Sequence, residues 1–512
     1  MAGAYSVDDV RTAEEAALAA TDEGVLMQTA AAALAFACVR QLRRSGRLTG
    51  RRVVLLVGGG NNGGDALWAG ARLAQRGIGV VAVLAAKQAH PDGLAALRSA
   101  GGSVIDTSGD EQGPAVDAGL AAVARAELVV DGLVGLGARP GLREPATRLV
   151  AAIRPDAVVV AVDLPSGIDP DTGELPGPHV RADLTVTFGA PKPGLLLPPA
   201  SVAAGQVQSV DLGFGPYLAA EPLVERLTAT DVARLWPVPD PGADKYRRGV
   251  LGVVAGSPGY PGAAVLTVSG ALRTGVGMIR YLGPRDATAA VRSAWPEVVA
   301  GPGRVQAWLL GPGVEVNPDD AADPQATAIA GALESDQPCL LDAGALTVLV
   351  AHLQRERDAR VADADVPDRS GRLLLTPHAG ELARLLTGLT GSAVERAEVE
   401  RRPYVHARRA AALTGATVLL KGSTTLVVRP DGRARSQAEA PSWLATAGAG
   451  DVLAGIAGAL LAGGLSPFDA GAVAALVHGT AASAASAGGP IVAGDVADHL
   501  RPTVAALLRS SP

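Results

Sequence analysis

The densest chemistry in the chain lies between Ser442 and Gly464, SWLATAGAGDVLAGIAGALLAGG. Small residues, Ala445-Thr446-Ala447-Gly448-Ala449-Gly450, lead to a single carboxylate, Asp451, and then to residues 452–461, apolar at helical spacing. Small residues let backbone N–H groups converge on an anion, and the N-terminus of a following helix adds its dipole. Asp451 stands where the two meet, placed to take a proton from a hydroxyl attacking a phosphate. Taken alone, the loop is explained as well by Asp451 capping a Gly/Ala-rich helix. A second pattern of strand then phosphate loop shifts the balance: residues 417–420 are apolar and run into Lys421-Gly422-Ser423-Thr424-Thr425.

Four strand ends in the first half carry polar loops. Residues 52–57 form a β-branched apolar run that enters Gly58-Gly59-Gly60-Asn61-Asn62-Gly63-Gly64-Asp65-Ala66, with a helix expected beyond it through Arg76. Strand, glycine turn, helix is a nucleotide-binding layout, although the G-x-G-x-x-G fingerprint is absent. Residues 128–130 end at Asp131 and a second glycine loop, residues 132–141. Residues 158–162 end in Asp163-Leu164-Pro165-Ser166, and residues 184–188 lead into Gly189-Ala190-Pro191-Lys192-Pro193-Gly194. Sites in open parallel sheets gather at the carboxyl ends of strands. Carboxylate, amide and hydroxyl oxygens there suit a hard cation. Capping or turn formation explains Asp131 or Asp163 taken singly.

These loops need strands and helices to hold them, and 512 residues suggest two to four domains. Helices are expected in residues 1–50, starting after Ser6. The second half repeats the alternation, with strands at 250–255, 308–310, 339–341 and 373–375 and a helix from about residue 263 to 274. Alternating βα units imply three-layer α/β domains. Proline-rich residues 216–245 read as the boundary, and residues 354–372 as an exposed loop. Apolar residues make up 48 % and aromatics 3 %, so the cores must be built from Ala, Val and Leu. A net charge of −6 argues against nucleic-acid partners. Residues 25–39 are apolar but interrupted by Gln28 and Thr29 and too short to span a bilayer, so a buried helix is expected and no membrane association. Cys38 and Cys339 fit buried thiols in a reducing cytoplasm. The chain prefers Arg and holds four lysines; Lys192, Lys245 and Lys421 fall in the stretches of interest.

GGGNNGGD, DGLVGLG, VDLPSGID and TFGAPKPG, in this order, resemble the NAD(P)H-hydrate epimerase family over about residues 5–220. The resemblance implies a Rossmann-like domain, residues 1–220, that interconverts the R and S forms of NADH or NADPH hydrated at C6 of the nicotinamide ring (NADHX and NADPHX). It implies a potassium ion at Asn62, Asp131 and Ser166. Substrate contacts would come from Asn61, Asn62, Gly63, Gly64 and Asp65, from Gly135, Leu136, Gly137, Ala138, Arg139, Pro140 and Gly141, and from Asp163. A carboxylate suits a reaction that passes through an iminium, and Asp163 is the expected catalytic group. Ala66 stands where that family usually has Gly.

DKYRRGVLGVVAGS, GYPGAA, LLGPGV, LLTPHAGEL, LLKGSTT and ATAGAGDVLAGI resemble the ADP-dependent NAD(P)H-hydrate dehydratases of the ribokinase-like superfamily. This implies a ribokinase-like domain, residues 221–512, in which ADP and magnesium phosphorylate the C6 hydroxyl of the S hydrate and phosphate is then eliminated. Lys421, Gly422, Ser423, Thr424, Thr425 and Gly450 would hold the nucleotide. Ala263, Gly313, His378 and Asp451 would meet the hydrate, with Asp451 as the base. Gly344 stands where a second Asp is expected, Ala447 replaces a Gly, Ala379 a Pro, and Asp244 precedes Lys245 in place of a His. The expectation is a bifunctional, homo-oligomeric repair enzyme. The alternative is a ribokinase-like small-molecule or vitamin kinase with a dinucleotide-sensing first half.

Overall fold

The computed structural model describes residues 2–44, 46, 48–109, 112–137, 139–316, 322–359 and 366–509. The chain divides into two compact units, one of residues 3–224 and one made mainly of residues 225–512.

In the first unit, among the described residues, seven parallel strands lie in the order Ser103–Asp106, Gly79–Leu84, Arg52–Val57, Leu128–Gly132, Val158–Val162, Leu184–Phe188, Gln206–Val210. Chain order reverses between Arg52–Val57 and Leu128–Gly132, and a crevice at their carboxyl ends follows from that switch. The β-branched run splits between faces with period two. Val53, Leu55 and Val57 join Leu34, Cys38 and Leu67 of helices Val25–Arg44 and Asn61–Ala74; Val54 and Leu56 join Val123 and Leu149 opposite. The apolar helix expected at 25–39 thus extends to Arg44 and turns one face into this core. Ser6 caps the first helix, Val7–Ala19, by accepting from the Asp9 N–H.

The sheet of the second unit runs Ala434–Gln437, Thr425–Val428, Thr417–Leu420, Leu373–Leu375, Cys339–Leu341, Ala307–Leu310, Val250–Val254, Met278–Leu282, Val299–Ala300. Ala434–Gln437 pairs antiparallel with Thr425–Val428, which pairs antiparallel with Thr417–Leu420; from there the sheet is parallel. Leu309, Leu340, Leu374 and Leu419 face helices Pro261–Thr274, Ala449–Ala462, Pro467–Ser486 and Ala493–Arg509. Leu310, Leu341, Leu375 and Leu420 alternate with them and are buried on the other face. A chain so poor in aromatics must bring its helices close, and glycines do this. A Cβ on Gly270 would meet the Val452 carbonyl oxygen at 2.5 Å, and one on Gly455 would collide with that of Thr267.

Residues 354–372 are not a loop throughout. Helix Gly344–Ala359 covers their start, and the guanidinium of buried Arg369 binds Glu356 and the carbonyls of Pro367 and Thr414. Glu356 and Arg369 are therefore paired rather than solvated, and residues 360–365 between them lie outside the described residues.

Candidate functional sites

In the first unit a cavity of 1270 Å³ opens at the switch point. Its lining includes Asn61, Asn62, Asp65, Gly135, Leu136, Gly137, Arg139, Gly141 and Asp163. The glycine stretch is not a loop to its end, because the helix begins at Asn61 after the extended N-cap Gly60. Asn61 and Asn62 therefore stand in its first turn. Gly63 and Gly64 serve packing: a Cβ on Gly63 would collide with the Gly58 carbonyl, and one on Gly64 would lie 3.0 Å from the His90 ring. The methyl of Ala66 lies against Gly132, so this departure fills contact space in the interior. Pro140 is exposed beside the cavity, and Ala138 lies outside the described residues.

Asp131 is fully buried. Its Oδ1 accepts from the Ser166 hydroxyl at 2.6 Å, its Oδ2 from the Ser166 N–H at 2.8 Å, and burial pushes its pKa up to about 6. Asn62 Nδ2 donates to the carbonyls of Val134 and Val162, at 3.0 and 2.8 Å. The structure thus gathers Asn62, Asp131 and Ser166. Among the described residues no basic side chain pairs with Asp131. A buried carboxylate with no basic partner, beside the Ser166 hydroxyl and linked through Val134 to the Asn62 amide, offers oxygen donors of the kind that fit a hard cation.

Asp163 follows its strand with φ of 67°, a left-handed conformation uncommon outside glycine. Its Oδ1 accepts from Thr187 Oγ1 at 3.0 Å, from the Phe188 N–H at 3.3 Å and from the ammonium of Lys192. Lys192, 1 % exposed, is the group to which sequence reasoning assigned no role. Its type in an Arg-preferring chain was the available signal. Arg11 braces the second glycine loop by donating to the Leu136 carbonyl at 2.8 Å, and Glu14 of the same helix lines the cavity.

In the second unit the stretch around Asp451 begins a helix earlier than its sequence suggests. Helix Ala449–Ala462 starts after Gly448 (φ 85°), so Asp451 sits inside the first turn and is not the N-cap. Gly450 occupies the same turn, where backbone N–H groups lack intrahelical acceptors. Lys421 closes strand Thr417–Leu420, but Gly422, Ser423 and Thr424 form a hairpin turn into antiparallel Thr425–Val428. This hairpin leads into no helix. A Cβ on Gly450 would stand 3.4 Å from Lys421 Nζ, which places the two proposed nucleotide loops side by side.

Lys421 Nζ lies 2.8 Å from Asp342 Oδ1 and 3.6 Å from Glu381 Oε2. Burial alone would lower its pKa, yet the surrounding Asp342, Glu381 and Asp451 raise it. Asp342, buried at the end of strand Cys339–Leu341, also accepts from Thr376 Oγ1 at 3.0 Å. Burial, and then the like charge of Asp342, push Asp451 up to about 7. Asp342 and Glu381 had not been given roles at this centre.

His378 adjoins Lys421 through a backbone bridge, but its ring is a helix cap. Nδ1 accepts from the Gly380 and Glu381 N–H groups while Glu381 answers the His378 N–H at 2.8 Å. Half of the side chain stays exposed, at the rim of a separate cavity of 560 Å³. Ala263 and Gly313 meet: a Cβ on Gly313 (φ 63°) would stand 2.6 Å from that of Ala263. Gly344 opens helix Gly344–Ala359, and a side chain there would collide with the Val314 carbonyl. This close approach accounts for the missing Asp. His478 is buried in Pro467–Ser486 with its pKa lowered to about 4 by burial. Lys245 is exposed, 5.3 Å from the centre of the Tyr246 ring.

A family model described as YjeF-related protein N-terminus matches residues 23–194, and one described as NAD(P)H-hydrate dehydratase matches residues 251–502. The chain is 43 % identical over 476 residues to the bifunctional NAD(P)H-hydrate repair enzyme Nnr of Mycobacterium tuberculosis (strain H37Rv), covering 91 % of each. It is 42 % identical over 516 residues to that of Mycobacterium leprae, covering 98 % of this chain and 99 % of that one. Among solved structures, the ADP/ATP-dependent NAD(P)H-hydrate dehydratase of Bacillus subtilis, co-crystallised with ATP and Mg2+, is 26 % identical. It matches 56 % of this chain and 99 % of that one, with a TM-score of 0.47.

Proposed function

The chain belongs to the bifunctional NAD(P)H-hydrate repair enzymes, and we propose that its two sites divide the repair between them. The first interconverts the R and S hydrates; the second removes water from the S hydrate with ADP, releasing AMP and phosphate. The observation that carries this division is a lysine paired with a carboxylate at the strand ends of each unit, fully buried at Asp163–Lys192 and partly buried at Asp342–Lys421 beside Asp451.

In the first site the ring-nitrogen lone pair expels the C6 hydroxyl, and water returns to either face of the iminium. Asp163, aimed by Thr187, Phe188 and Lys192, is the negative group that steadies the passing positive charge. Potassium would be held by Asn62, Asp131 and Ser166, where its charge offsets that of buried Asp131.

In the second site Asp451 takes the proton of the C6 hydroxyl as its oxygen bonds to the terminal phosphorus of ADP and the bond to AMP breaks. Phosphate then leaves C6 with its electron pair, and loss of a proton from C5 restores the dihydronicotinamide. Lys421 and the first-turn N–H groups at Gly450 face the phosphates. Among the described residues no three His, Cys, Asp or Glu side chains form a metal-binding group. Magnesium would therefore arrive on the nucleotide and neutralise phosphate charge, with Asp342 and Asp451 the nearby carboxylates. The same centre fits ATP, and ADP is the proposed donor. Buried thiols at Cys38 and Cys339 support a cytoplasmic setting.

The test supplies an R/S mixture of NADH hydrate, magnesium, potassium and ADP or ATP, and follows dihydronicotinamide absorbance before spontaneous epimerisation contributes. Full recovery is expected. Recovery stopping at the S fraction removes the epimerase assignment. No recovery, with a phosphorylated product accumulating, points to a kinase instead.

A further inference from the structure

Asp65 is a carboxylate of the first cavity that lacks a counter-charge. It stands on helix Asn61–Ala74, is 6 % exposed, and its Oδ1 is buried with no hydrogen-bond partner. Among the described residues no basic side chain pairs with it. Asp163 faces it from the end of its strand and Glu14 from helix Val7–Ala19, and all three line the same cavity. Lys192 binds Asp163 and Arg11 donates to the Leu136 carbonyl; Arg139 and Arg143 also line the cavity, and the charges that act on Asp65 are those of Asp163 and Glu14. His90, packed against Gly64, accepts through Nδ1 from the Gly93 N–H.

A carboxyl deprived of water and of cations, beside two like charges, keeps its proton well above the ordinary carboxylate range. Asp163 receives three donors, one of them an ammonium. Two carboxyl groups in one pocket with environments so unlike are how a site separates an acid from an anion.

We propose that Asp65 is the proton donor of the first site, protonating the hydroxyl that leaves C6 while ion-paired Asp163 faces the iminium. The C6–O bond breaks with its electron pair going to oxygen, which takes the Asp65 proton and departs as water. The ring-nitrogen pair forms the N1–C6 double bond. Water from the cavity then adds to the other face of C6, its proton passes to Asp163, and transfer back to Asp65 resets the pair. This rests on the epimerase reading of the first unit.

The test uses the full chain without ADP, so that hydrates interconvert but are not consumed, and resolves the epimers chromatographically from a pure S start. D65N should lower kcat by about 100-fold or more and abolish the high-pH fall in rate that the wild type shows as Asp65 ionises. D65N with wild-type kcat overturns the proposal. Should D65N fail to fold, the wild-type profile decides, because a kcat that does not fall with rising pH overturns it too. Wild-type protein that does not exceed the buffer rate sinks the epimerase reading along with this inference. Wild-type activity with an equally active D65N sinks the inference alone.

Discussion

Lys192, buried, and Lys421, partly buried, are ammonium groups paired with carboxylates, and the two units place them differently. In the first, Lys192 contacts the central carboxylate itself and, with Thr187 and the Phe188 N–H, fixes Asp163 as an oriented anion. In the second, Lys421 is taken up by Asp342 and Glu381, leaving Asp451 without a direct ion pair and with its carboxyl pushed up to about 7. Removing the direct contact turns a carboxylate that stabilises charge into one that exchanges a proton near neutrality. On the proposed roles, the same residue types would serve two chemistries through which carboxylate the lysine touches.

The contrast is broken most directly at Asp451. D451N should lower ADP-dependent dehydration by about 1000-fold and leave R/S interconversion untouched, measured in the same preparation. Wild-type dehydration should rise with pH and level off above about 7, since the base must be ionised. A profile flat across that range would remove Asp451 from the role.

K192M should act on folding as well as on rate, because it strands Asp163 in the interior. Breaking a buried pair costs about 3–5 kcal/mol, read from the urea midpoint at neutral pH, together with loss of epimerisation. A rate loss without a stability loss would mean that Asp163 finds water when its partner is gone.

Asp131 supplies a gentler probe. Its folded pKa of about 6 exceeds the usual carboxylate value of 3.8, so the folded state holds the extra proton. Stability from this group is present at low pH and declines as pH rises through that window. Thermal melts in a bulky organic cation should therefore drop by a few degrees between the two ends. Potassium should erase the drop by favouring the ionised form, and S166A should weaken that rescue. At the small end, A447G should change the dehydration rate by less than about threefold, as Ala447 is exposed beside the helix start.

The buried β-branched strands and the loops at their ends were plain in the sequence because apolar runs stop abruptly at Asp131, Asp163 and Lys421. The antiparallel strand Ala434–Gln437 was not, since ARSQ has neither an apolar run nor alternation. Asp451 was placed at a helix entrance, whereas Gly448 in a left-handed conformation starts the helix early and draws the carboxylate into it. His378 was read as a substrate contact, and its ring proved able to cap Ala379–Thr390 because Glu381 completes a reciprocal pair. The partners Lys192 and Asp342 were hidden for another reason. They lie 29 and 79 positions from the groups they bind, and strand order, which no local pattern encodes, brings them there.

Helices Pro261–Thr274 and Ala449–Ala462 touch backbone to backbone at Gly270 and Gly455. One carries Ala263 and the other Asp451. Their spacing is therefore set by peptide groups in contact, with no intervening side chain whose rotamers could loosen it. The proposed hydrate seat and its proposed base form a welded frame, like two beams bolted flange to flange. Warming that softens surrounding side chains leaves this gap unchanged until the unit itself comes apart.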